Sequence, residues 1–121
     1  MNRNNSIAYL RRPSREYRDP LPRLISFDRM ELFQILNIYG RMVAAGHWRD
    51  YDISHLEEFA VFSIFRRTAE YPIYRIVKRP SLDARLGMYS IVGMDGRILR
   101  QGRDLKQILK IFERNLLRAV H

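Results

Sequence analysis

Hydrophobic positions change their period twice along this chain, and the changes mark its elements. Leu32, Ile35, Leu36, Tyr39 and Val43 follow the i, i+3, i+4, i+7, i+11 spacing of one helical face. Asp28 stands just before this run with Glu31 three residues on, which predicts a capping box. Phe27 and Leu32 are placed for a hydrophobic staple. Phe33, Ile38 and Met42 widen the stripe, so the helix is expected to be covered on more than one side. Gly40 interrupts it, which predicts a close approach by a neighbouring element, and Gly46 is a natural stop. The pattern predicts a helix over residues 28–45.

The spacing then shortens to that of strands. Tyr51 to Leu56 alternates moderately, and Phe59 to Phe65 is almost continuously apolar, as in a strand covered on both faces. After a polar connection, Pro72 opens a strand running from Ile73 to Arg79. Ile73, Arg75, Val77 and Arg79 share one of its faces; Tyr74, Ile76 and Lys78 share the other. Pro80 to Gly87 reads as a loop. Met88 to Met94 and Arg97 to Gln101 form a hairpin with Asp95-Gly96 as a type I′ turn.

The helical period returns with Leu105, Ile108, Leu109, Phe112, Leu116 and Val120. Asp104 is its predicted cap, and Gln107 at N3 is expected to close a second box. Lys106, Lys110, Arg114 and Arg118 form a cationic stripe on its other side. That stripe reads either as the solvated back of an amphipathic helix or as a contact for a polyanion or partner.

The elements make an α+β fold in the order α-β-β-β-β-β-α: one two-layer domain over 26–121, with about five antiparallel strands. Helices gathered at the two ends of a run of strands pack together on one face of the sheet. The other face is then left open, dimerised or bound. Residues 1–25 mix Asn, Arg, Ser and Pro without period and read as a disordered or loosely docked arm.

Composition narrows the chemistry. The chain has no cysteine, which removes disulfides, thiolate nucleophiles and cysteine-bound zinc. No apolar run approaches the ~20 residues of a membrane span, no secretory core is present, and prolines 13, 20 and 22 interrupt any transit-peptide helix. A cytoplasmic location without membrane contact is expected. The net charge is +9, and 19 of the 22 basic residues are arginine. Six arginines up to Ser26 stand against Glu16 and Asp19, so this segment carries +4 and the rest of the chain +5.

That excess suits phosphate contact. It equally suits a plain basic surface of no specific function. Candidate contacts for RNA, DNA or a nucleoprotein are Arg11, Arg12, Arg15 and Arg18, interleaved with Tyr9 and Tyr17, together with Arg66, Arg67, Arg75, Lys78, Arg79 and Arg100. A protein–protein adaptor or homodimer acting through the open sheet face is the alternative. Trp48 and Tyr51 are its candidate contacts, although a tryptophan at a helix–strand joint more often closes a core edge.

Nothing commits the chain to catalysis. Ser54 and His55 are adjacent on a strand and point to opposite faces, as do Glu57 and Glu58. His47, His55 and His121 show no metal-ligand spacing, and no glycine-rich loop runs from a strand into a helix. A non-enzymatic protein without metal or cofactor is expected.

The run from Ile38 to Gly46 (Ile-Tyr-Gly-Arg-Met-Val-Ala-Ala-Gly), leading into Trp48-Arg49-Asp50-Tyr51, resembles an uncharacterised alphaproteobacterial family, the domain of unknown function DUF2794. The stretches Ala60 to Arg67 and Tyr74 to Pro80, and the last helix from Asp104, are similar to it as well, so the resemblance covers about residues 26–117. It implies a bacterial cytoplasmic protein. It brings no activity, ligand or site residue.

Overall fold

The computed structural model describes residues 23–67, 71–82 and 85–120, and of the side chains in the last helix not those of 115 or 117–120. The predicted arm up to residue 22, with Arg11, Arg12, Arg15 and Arg18, lies outside the described residues, as does His121. Helix α1 (Arg29–Ala44) is followed by strands β1 (Asp50–His55), β2 (Ala60–Phe65), β3 (Tyr74–Lys78), β4 (Tyr89–Gly93) and β5 (Ile98–Gly102), then helix α2 (Leu105–Val120). The strands form one antiparallel sheet in sequence order.

Each end of α1 follows from its residues. The Glu31 amide donates to Asp28 Oδ1 (2.8 Å), and the Asp28 amide donates to Glu31 Oε1 (2.7 Å), which completes the capping box. At the other end the amides of Gly46 and His47 donate to the carbonyls of Val43 and Met42, the pair of bonds that defines a Schellman stop. Ile25, inside the stretch read as an arm, donates to the Leu56 carbonyl and packs against the core.

Both helices lie on one face of the sheet. Ile35, Ile38 and Met42 of α1 and Leu105, Ile108, Leu109 and Phe112 of α2 share a core with Ala60, Phe62, Ile64, Ile76 and Ile91. An odd number of antiparallel strands separates the helices, so they run in the same direction. Arg41 late in α1 accordingly pairs with Glu113 midway along α2 (3.5 Å). The opposite sheet face carries Val61, Ser63, Arg75, Val77, Ser90 and Val92 across neighbouring strands, and no described element covers it.

Several expectations are corrected. Phe33 is 64% exposed, so α1 is covered along one side only, and a Cβ added at Gly40 would meet nothing within 4 Å. Ile73 joins the core cluster, because it precedes β3 and does not share the face of Arg75. In the hairpin, Gly93 N–H donates to the Arg97 carbonyl and Gly96 N–H to the Gly93 carbonyl. This encloses three residues, Met94 to Gly96, with Gly96 at positive φ, in place of a two-residue type I′ turn. Asp104 Oδ1 receives the Lys106 amide at N2 (3.0 Å), and among the described residues Gln107 sends no side-chain bond back.

Candidate functional site

The residues proposed as cation contacts do not assemble on one face. Arg66 and Arg67 are exposed at the end of β2. Arg75 sits half-buried near the centre of the open face, opposite Ser63 on one side and Val92 on the other. Arg79 lies 4.4 Å from the centre of the Phe59 ring and 3.6 Å from Glu58, a cation–π contact reinforced by an ion pair. Lys78 is withdrawn altogether: it alternates onto the helix-covered face, where its ammonium donates to Glu31 Oε1 (2.8 Å) and to the Ser26 carbonyl (2.9 Å). The other oxygen of Glu31 accepts from the Tyr89 hydroxyl, so this 7%-exposed carboxylate ties α1 to β3 and β4.

Trp48 is also withdrawn as a surface contact. It is 4% exposed and meets Phe112 edge-on at 4.9 Å, closing the core where α1 turns into β1. Tyr51 keeps an exposed edge but stacks on Phe62 at 4.8 Å, with Tyr39 edge-on at 4.9 Å. The Tyr39 hydroxyl has its pKa raised above the ordinary phenol value by burial, and further by the Asp50 carboxylate and Tyr51.

A basic concavity does form, and of the described candidates Arg100 alone lines it. It lies between β5 and α2, with a volume of about 370 Å³, and Arg100, Arg103, Lys110 and Arg114 line it. Three local rules build it. The register slip between Ile91 and Val92 leaves Leu99 as a bulged residue, after which Arg100 falls opposite Ile91 on the helix side of the sheet. Arg103 occupies the turn that enters α2. Lys110 and Arg114 are one helical turn apart and so share a side of α2. The one acid in the lining, Asp104, has an oxygen engaged by the Lys106 amide.

The sequence showed the α2 cations as a single stripe, but the structure divides it. Lys110 and Arg114 turn towards β5, while Lys106 lines a separate groove between the helices. What sequence spacing could not supply was the tertiary neighbour, since Arg100 reaches this notch only through the bulge. Such a cradle can hold phosphate oxygens through charge-assisted hydrogen bonds, the arginines offering planar two-pronged contacts. Its lining carries one carboxylate, that of Asp104, and no serine or histidine. Among the described residues no three His, Asp or Glu side chains gather where a metal could bind, and no helix is long and apolar enough to cross a membrane.

No curated protein and no solved structure matches the chain. A family profile described as a protein of unknown function, DUF2794, matches residues 25–109, from Ile25 ahead of α1 through the core residue Leu109 of α2, and the chain therefore belongs to that family.

Proposed function

We propose that this protein is a non-enzymatic, cytoplasmic nucleic-acid-binding protein that grips the phosphate backbone. The observation that carries the reading is the convergence of Arg100, Arg103, Lys110 and Arg114 on one notch, in a molecule of net charge +9. Phosphate neutralisation with counterion release supplies affinity with little sequence preference. The arginines ahead of the described residues would add contacts of the same kind to RNA, DNA or a nucleoprotein.

The test is fluorescence anisotropy with a labelled single-stranded RNA and its DNA counterpart at low salt. Reversing two charges, in Arg100→Glu with Arg114→Glu, is expected to weaken binding at least about tenfold, since each lost phosphate contact also becomes a repulsion. Both positions are exposed, so the fold should be unaffected. Undiminished binding by that variant, or no binding by the unaltered protein, would refute the reading.

A second reading, a protein adaptor or homodimer acting through the open sheet face, is favoured by one observation. Val61 pairs with Val77 and Val92 with Ile98 on that face, which leaves an apolar centre with Arg75 beside it. Ile98→Asp separates the two readings, because Ile98 is 58% exposed on that face, so the change should impair a protein contact there and leave RNA affinity unchanged.

A further inference from the structure

The outer surface of the helix layer holds a second concavity that plays no part in the notch. It runs between α1 and α2, with a volume of about 290 Å³. Its floor is apolar, formed by Ile38 and Leu109, both almost fully buried. Met30 and Phe33 stand above that floor and are 61% and 64% exposed, one helical turn apart. A large aromatic and a methionine left in water beside a groove form the apolar patch that a surface normally minimises unless something covers it. Methionine adapts to varied apolar partners.

The charges select the occupant. At the end of the groove where both helices begin, Lys106 is exposed and without an ion pair among the described residues. At the far end Arg41 and Glu113 neutralise each other at 3.5 Å. The groove therefore has an apolar floor, with Gln34 and Asn37 along its α1 side, and is positive at one end. A second copy of this chain fits poorly, because two molecules of charge +9 repel each other and each would bring a cation, not an acid, to Lys106. A flat membrane cannot reach a floor recessed between two helices. An amphipathic helix can, laying apolar side chains spaced i, i+3, i+4, i+7 along the trough.

The geometry points to the α1–α2 groove as the docking site for an acidic amphipathic helix of a partner protein, its apolar side against Phe33 and Met30 and a carboxylate beside Lys106.

The test uses the full chain and a display library of helix-biased peptides about 16 residues long, the length of each helix. Selected peptides should carry helically spaced apolar residues with Asp or Glu at one end. Their affinity should fall at least about tenfold on Phe33→Glu and clearly on Lys106→Glu, as expected when a central aromatic contact and its rim charge are lost. Arg100→Glu with Arg114→Glu, which disables the notch, should leave the peptide affinity unchanged, so failure here is distinguishable from failure of nucleic-acid binding. Four results would overturn the inference: no enriched helical peptide, peptides that bind Phe33→Glu as tightly as the unaltered protein, binding of anionic vesicles abolished by Phe33→Glu, or a dimer mass in light scattering that the same substitution reduces to monomer.

Discussion

Glu31 caps α1, pairs with Lys78 and accepts from the Tyr89 hydroxyl, so one carboxylate secures the start of a helix to two strands. Its oxygens are satisfied on the protein side, which offsets the cost of taking the charge out of water. Lys78→Met would leave that carboxylate without its cation, and we expect a loss of about 3 kcal/mol in urea denaturation. Glu31→Leu combined with Lys78→Met should cost less than the two single changes added together, by at least about 1 kcal/mol, and strict additivity would contradict the coupling. Tyr39 gives a pH signature. Its raised phenol pKa means that the unfolded chain ionises first as pH climbs. The contribution to stability is therefore present below about pH 10 and lost above it, and Tyr39→Phe should flatten the fall of the denaturation midpoint between about pH 9 and 11. The capping role of Glu31 was legible from its spacing to Asp28. Its bond to Lys78 was not, because 47 residues separate them and only the sheet brings them together.

The elements themselves were legible to within a residue or two, because period and cap chemistry are local. The differences arise where one element meets another. Phe33 extends the apolar stripe of α1 as though covered, yet the helix turns Ile35, Ile38 and Met42 to the sheet and Phe33, on the far side from Ile35, to the outside. The hairpin shows Asp-Gly but takes a three-residue loop, since the bulge at Leu99 shifts the register. Two glycines at positive φ then play unequal parts. At Gly87 (φ +90°) a Cβ would lie 2.2 Å from the Gly102 carbonyl carbon, so the loop after β3 crosses the end of β5 with no room for a side chain. At Gly96 (φ +88°) a Cβ would meet nothing within 4 Å. Gly96→Ala should cost about 1–2 kcal/mol from backbone conformation alone. Gly87→Ala should cost clearly more, about 3–4 kcal/mol, because the clash with backbone adds to that strain. Equal midpoints for the two variants in chemical denaturation would contradict the packing described at Gly87.

For the whole molecule, the question is how a charge of +9 is distributed. The strands do not collect it on the open face, where valines alternate with serines around a single central arginine among the described residues. Lys78 is drawn into the interior, and Arg41, Arg79 and Arg97 meet acids. Among the described residues Arg100, Arg103, Lys110 and Arg114 line one notch, built by a bulge, a turn and one side of a helix. In the sequence Arg100 and the α2 stripe are separate features. Their union depended on which side of α2 faces β5, and the apolar positions alone do not disclose it.

The most direct measurement is the salt dependence of RNA affinity for the unaltered protein and for Arg100→Glu with Arg114→Glu. If the four notch cations each neutralise a phosphate, log affinity against log salt should have a slope of about −2.8 on a single strand, a loss of about fiftyfold between 50 and 200 mM. The paired reversal should at least halve that slope. Affinity indifferent to salt, or a slope the variant leaves unchanged, would contradict the account.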